Sequence, residues 1–278
     1  MASLATHYFF ALDVYDALDK ETKKRIIEHI DEYLIGAQGP DIFFFGTSLN
    51  IVDINFMDKK INNYGKKLHK QAFNTFLEAS LGRVKLYNSQ LALSYLLGMV
   101  THYALDCFVH PLVNKYTSNF DQHLLFETEL DALMIESHTP FKANEFKRHE
   151  VVKYDNLYFH SFFKIIYPDL SAMQVYESIK NMYNAYKLIY SPNGYKKQAI
   201  KRISQSYLPI PFDFSNMLIG EDKSDAYRKE IKLFIDKYDG YVFLTTKLIH
   251  NVLDHLDHGK KLDTFFETDF NNKIKDIK

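Results

Sequence analysis

The sequence has no tryptophan, and only one of its 278 residues is a cysteine. The lone Cys107 excludes an internal disulfide framework and any cysteine-rich zinc site. That leaves 12 histidines as the soft ligands on offer. Glycine and proline number 10 and 7, too few for a collagen, a linker or a turn-dense β-sandwich. Charge of either sign is not in excess: 34 Lys and Arg against 35 Asp and Glu leave a net −1. The basic footprint that long polyanions need is therefore missing. Long hydrophobic runs are missing too. The longest nearly uncharged stretch, Leu91 to Met99 and beyond, meets His102 and Asp106 before it could span a bilayer. No positive charge precedes the apolar run from Tyr8 to Leu12, and Asp13 and Asp16 cut that run short. A secretion signal is not expected, and the default expectation is a soluble, cytoplasmic protein.

What is present is enough for a large core: 46% hydrophobic and 25% charged residues. Apolar residues recur at three and four, and strand-like alternation is scarce. The pattern predicts helices at 4–18, 21–36, 66–81, 86–110, 120–136, 155–166, 172–190, 195–205 and 224–258, the last breaking near Gly240. Gly36, Gly39 and Pro40 mark one helix end, Pro111, Pro140 and Pro192 three others. Leu208-Pro209-Ile210-Pro211-Phe212 reads as a rigid extended connection. With no long linker or repeat, the economical fold is one all-α domain over 1–278. Its chemistry-bearing part is about 4–136, and its helical C-terminal part about 141–278.

The chemistry concentrates in Gly98-Met99-Val100-Thr101-His102-Tyr103-Ala104-Leu105-Asp106-Cys107-Phe108-Val109-His110-Pro111. His102, Asp106 and His110 are each four apart, so they form one helical stripe that drifts by only about 40° per step. The surrounding helix is apolar on every side, which places the stripe in the interior. Buried imidazoles and a carboxylate need partners, and a metal ion is a compact one. His123 and Glu127 repeat the spacing, on a helix capped by Asn119 or Asp121 whose stripe continues inward through Leu130 and Met134. Nitrogen and carboxylate donors without thiolate suit Zn²⁺ in a hydrolytic site. The sequence carries its own control in His250, Asp254 and His258, which share the spacing but lie opposite the apolar face of Ile249, Val252, Leu253 and Leu256. That cluster reads as surface, as do His29, His138, His149, His160 and His255.

Taken in order, Thr6-His7-Tyr8, Gly39-Pro40-Asp41, Tyr64-Gly65-Lys66-Lys67-Leu68-His69, His102 with Asp106 and His110-Pro111, and His123 with Glu127 resemble the zinc-dependent phospholipase C family. That family has an all-helical fold shared with the trinuclear zinc P1-type nucleases. The resemblance implies one zinc on Asp41, His69, His102 and Asp106. It implies a second on His110, His123 and Glu127, and a third on His7 with Asp106 shared. Secreted members complete the third site with an amino-terminal tryptophan, which this chain lacks, so two tight zincs and a weak or absent third are predicted. Ile42 follows Asp41 where those enzymes place a tyrosine near the substrate, and a choline preference is not carried over. The β-sandwich docking domain of the secreted toxins is not expected in the helical C-terminal part.

The function implied is a zinc phosphodiester hydrolase in which metal-bound hydroxide attacks phosphorus and Asp41 orients or deprotonates the water. Its substrate would be a small phosphodiester or a phospholipid headgroup, and long nucleic acid is not expected. A nuclease or nucleotidase on the same scaffold, a non-catalytic zinc-stabilised protein and a metal-free helical protein stay open as alternatives. Without metal, the carboxylates of Asp41, Asp106 and Glu127 should repel and rise in pKa. The run Ile42-Phe43-Phe44-Phe45-Gly46 is expected as a loop with its rings in the core or one at a substrate cleft. The sequence leaves oligomeric state open.

Overall fold

The computed structural model describes residues 4–46, 59–154, 161–206, 213–221 and 224–273. In chain order its helices are α1 (Leu4–Ala17), α2 (Lys20–Ile27), α3 (Ile30–Gly36), α4 (Lys59–Lys70), α5 (Phe73–Tyr87) and α6 (Gln90–Tyr116). They continue with α7 (Phe120–His138), α8 (Phe162–Ile166), α9 (Ala172–Ile189), α10 (Tyr195–Ser206), α11 (Arg228–Ile235) and α12 (Tyr238–His258). Short 3₁₀ turns fall at Gly39–Phe45, Arg148–Val151, Phe214–Met217 and Thr264–Glu267. The fold is all-α, as the periodicity predicts. The expected connection at 208–212, residues 155–160 of a predicted helix, and His160 lie outside the described residues.

Side-chain caps fix several starts. Asp19 accepts from the backbone N–H groups of Glu21 and Thr22 at the head of α2. Ser89 does so for Ala92 in α6, and Asn119, not Asp121, for Gln122 in α7. Ser171 and Gln174 form a reciprocal capping box on α9.

α6 is the axis of the molecule, buried on every side through most of its length. It packs against α3, α12, α1, α5 and α8. Its crossing with α3 is close because Gly98 has no side chain: a Cβ there would strike the Tyr33 carbonyl. By length and composition α6 could cross a membrane, but 94% of its apolar window is buried inside the fold, which makes it a core helix. One apolar cluster runs from Leu4 through α6 to Phe270.

Several boundaries differ from the sequence expectation. α6 does not stop at Pro111 but continues to Tyr116. Val109 and Val113, four apart, are both buried, and that packing offsets the roughly 3 kcal/mol a mid-helix proline costs. The helix expected over 66–81 is two, α4 and α5, separated where Ala72 turns extended and the Phe73 N–H donates to the Thr268 carbonyl at 3.1 Å. The helix expected over 21–36 bends at His29, so that Ile26 on α2 and Tyr33 and Ile35 on α3 all reach the core. The last long helix breaks at Asp236–Lys237, not at Gly240, which lies inside α12 with open space around it. The Phe run is a 3₁₀ turn, not a loop: Ile42, Phe43 and Phe45 are buried and Phe44 is half-buried.

Candidate metal centre

Five elements deliver the eight predicted side chains to one place. His7 comes from the first turn of α1, Asp41 from the 3₁₀ turn after α3, and His69 from the last turn of α4. His102, Asp106 and His110 come from α6, and His123 and Glu127 from α7. His69 Nε2 lies 2.9 Å from Asp41 Oδ1, and His123 Nε2 2.9 Å from Glu127 Oε1. His7 Nε2 and His102 Nε2 each lie 3.4 Å from an Asp106 oxygen, one on Oδ1 and one on Oδ2. His110 Nε2 points to Glu127 Oε1 at 3.8 Å.

The ligand atoms fall into three groups, each within 4.8 Å: Asp41, His69 and His102; His7, His102 and Asp106; and His110, His123 and Glu127. The second brings His7 and Asp106 together, the pair expected to share a metal, and adds His102 to them. His102 joins the first two groups.

Backbone carbonyls hold three of the imidazoles. The Nδ1 atoms of His69, His102 and His110 sit 2.8, 3.1 and 2.9 Å from the carbonyl oxygens of Gly65, Ala37 and Phe270. A carbonyl only accepts, so each Nδ1 carries a proton and each Nε2 faces the carboxylates, open to ligate a metal once it gives up any proton of its own. This is how metal-binding histidines are oriented by their outer partners. Gly39 is part of the arrangement. Its φ of +54° is left-handed, and a Cβ there would run into the His102 ring.

The donor set fits a divalent metal. His102 Nε2 and His7 Nδ1 are buried polar atoms without a hydrogen-bond partner, a state that costs free energy unless something binds them. Imidazole and carboxylate donors at these separations are the chemistry zinc takes. The side chains of His69, His110 and His123 remain 15%, 12% and 21% exposed, whereas His102 is fully enclosed. The cluster therefore opens to solvent along the His69 to His123 side.

Electrostatics correct one expectation. Burial raises the Asp41 carboxyl, but its hydrogen bond from His69 and the His69 and His102 charges pull the other way, and it falls to about 2. Asp106 is likewise held well below the carboxylate range: burial opposes, and His110 and His102 prevail. Glu127 is lowered by His123 and His110 against its burial. The carboxylates do not rise, because nearby positive charge, that of His102 and His110 among it, outweighs burial and mutual repulsion. The same field raises His110 to about 9, against its burial and through Asp106 and Glu127. His7 moves down, by burial and by the neighbouring His102.

Asp131 is a residue that the sequence motifs do not single out. It lies four after Glu127, so it extends the His123–Glu127 stripe, and that spacing was the available signal. It is fully buried. It accepts from both the N–H and the hydroxyl of Thr6 at 2.8 Å and meets Arg148 Nη1 at 3.2 Å. It thereby pins the turn of α1 that carries His7. Arg148 in turn donates to the Met217 carbonyl at 2.5 Å. Its neighbour His149 is buried against Tyr183 and Tyr190, not on the surface as expected. Arg148 draws the short turn inward, and His149 goes with it. The control cluster stays outside. His250 pairs with Asp19 at 2.7 Å and Asp254 with Lys260 at 2.7 Å, all substantially exposed.

Residues 6–189 match the family model for zinc dependent phospholipase C. The chain belongs to that family. No curated protein and no solved structure matches it significantly. The family is zinc-dependent and hydrolytic, in keeping with groups of His, Asp and Glu able to hold a metal ion. The matched segment carries all eight clustered side chains. Residues from α10 onward lie outside it.

Proposed function

We propose that the protein hydrolyses a phosphodiester bond at a zinc centre formed by His7, Asp41, His69, His102, Asp106, His110, His123 and Glu127. One observation carries the reading: three imidazoles, each with Nδ1 committed to a backbone carbonyl, direct Nε2 into a space shared with three carboxylates. Asp41, His69 and His102 would hold one zinc, with Asp106 in reach of His102, and His110, His123 and Glu127 a second. His7 with Asp106 makes a weaker third position.

Zinc, when bound, lowers the pKa of water and stabilises negative charge on phosphate oxygens. Asp41 is the residue we assign to hold the attacking water. Its Oδ1 is engaged by His69, and it comes from a turn beside the side on which the cluster opens. Its depressed pKa keeps it ionised, so it accepts a hydrogen bond from water throughout the neutral range. Ile42 is fully buried and lines no cleft. Phe44, tilted over His69 at 5.3 Å between ring centroids, and Phe120, stacked on His123 at 6.3 Å, are aromatics at the rim.

The substrate class is a small phosphodiester or a phospholipid headgroup. A net charge of −1 gives no steering for long nucleic acid. The test is hydrolysis of a phosphodiester panel with choline, ethanolamine and nucleotide leaving groups, by zinc-loaded protein, chelator-treated protein and Asp41→Asn. Turnover restricted to the loaded wild-type chain supports the reading. Zinc binding without turnover of any member would instead leave a zinc-stabilised, non-catalytic protein.

A further inference from the structure

After α12 the chain runs back beneath the ligand cluster. This segment, residues 263–273, lies outside the span matched to the family, yet it is bonded to the elements that carry three of the histidines. The Thr268 carbonyl accepts from Phe73 N at 3.1 Å at the α4–α5 corner, and Phe270 N donates to the His69 carbonyl at 3.4 Å. From α6, the Tyr103 hydroxyl meets Thr268 Oγ1 at 2.7 Å, and Cys107 donates to the Asp269 carbonyl at 3.4 Å. The Asp269 carboxylate closes the turn by accepting from Asn271 N and Lys273 N at 2.9 and 3.0 Å.

Phe270, 2% exposed, sits at the middle of this segment. Its carbonyl is the acceptor for His110 Nδ1. Its ring lies 5.0 Å from the His69 ring and 5.7 Å from the His102 ring.

We infer that residues 263–273 are a strap built into the metal centre, with Phe270 as its positioning residue. The Phe270 carbonyl fixes His110 with Nδ1 protonated and Nε2 turned toward Glu127, and its ring closes the inner wall behind His69 and His102. The inference rests on reading the cluster as a zinc centre. Loss of such an outer hydrogen bond typically weakens metal binding by about 10–100-fold. Phe266 supplies the control. It is equally buried and packs on Phe73 and Tyr103, but its ring contacts are with core residues rather than the ligand histidines.

The test is a competitive chelator titration of zinc on the full chain in four forms: wild type, Phe270→Ala, Asp269→Ala and Phe266→Ala. Phe270→Ala keeps the carbonyl but removes the ring that seats it, and Asp269→Ala removes the carboxylate that closes the turn, so each should let the carbonyl move off His110 and weaken one zinc by about 10–100-fold. Phe266→Ala should lower the melting temperature and leave zinc affinity unchanged. The inference is overturned if zinc affinity simply follows melting temperature across all three variants, or if Phe270→Ala binds like wild type. Should the variants not fold, a nitrogen–proton correlation spectrum of the imidazoles in the zinc-loaded wild-type chain decides instead. A His110 protonated at Nδ1 with slow exchange supports the strap, and one protonated at Nε2 overturns it. Neither readout needs turnover. A chain that binds zinc but hydrolyses nothing defeats the hydrolase reading and leaves the strap. Normal hydrolysis with His110 protonated at Nε2 does the reverse.

Discussion

His7 and His102 stack face to face, their ring centroids 4.0 Å apart and their planes 17° from parallel. Their Nε2 atoms reach opposite oxygens of Asp106. The stack makes one carboxylate the shared partner of helices α1 and α6. Burial and then the neighbouring His102 charge push His7 down, while His102 is drawn up by Asp106 and Asp41 against its burial.

Asp106→Asn should therefore abolish hydrolysis to within orders of magnitude of background and lower the zinc content. Asp254→Asn, with the same spacing to its flanking histidines but an exposed side chain paired to Lys260, should leave both stability and zinc content close to wild type. Equal effects of the two on metal content would refute the assignment of the α6 stripe.

His7 has one carboxylate and one imidazole beside it, short of the four donors zinc normally takes. His7→Ala should keep the two tight zincs and reduce activity only modestly. Elemental analysis after exhaustive dialysis checks this. Three retained equivalents in the wild type, falling to two together with loss of activity in His7→Ala, would show that the third position is tight and catalytic.

Asp131→Ala should cost about 3–5 kcal/mol, because it leaves Arg148 buried without its partner and frees the Thr6 donors at the head of α1. Denaturant unfolding measures the loss. A cost under about 1 kcal/mol, the range of a surface pair, would show that Asp131 does not anchor α1.

Asp13, His138 and Tyr238 tie α1, α7 and α12 together, with His138 Nε2 at 2.9 Å and the Tyr238 hydroxyl at 2.7 Å from Asp13 Oδ2. The hydrogen bond to Asp13 raises His138 above its ordinary 6.5, despite its burial. Asp13, which burial alone would raise, is lowered below 3.8 by His138 and Tyr238. The His138 contribution is complete below about pH 6.5 and fades as pH rises through its folded value. The Asp13 contribution is complete above about pH 3.8 and fades as pH falls through its folded value. The melting-temperature advantage of wild type over His138→Gln should thus be greatest between about pH 4 and 6.5 and shrink on either side. An advantage that is flat from pH 4 to 9 would contradict the pairing.

The sequence made the core of the fold legible through α6, since a helix apolar on all sides with His102, Asp106 and His110 in one stripe has few places to sit. His102, Asp106, His110, His123 and Glu127 were legible from their four-residue spacing, whereas His7, Asp41 and His69 were legible only through the family resemblance. What stayed hidden depends on distant backbone. The α4–α5 break is stabilised by the Thr268 carbonyl, and His110 is oriented by the Phe270 carbonyl. A carbonyl belongs to every residue and leaves no mark in composition or period. Pro111 and Gly240 misled because their local cost is smaller than the packing around them. His149 misled because it is carried inward by Arg148, whose partner Asp131 is found only in the fold.

The most direct test is the zinc content of the purified wild-type chain after exhaustive dialysis, read by elemental analysis. The account predicts about two equivalents per chain, removed by a strong chelator with a large fall in melting temperature and restored by added Zn²⁺. A folded chain that holds less than one equivalent, with a melting temperature indifferent to chelator, would contradict it.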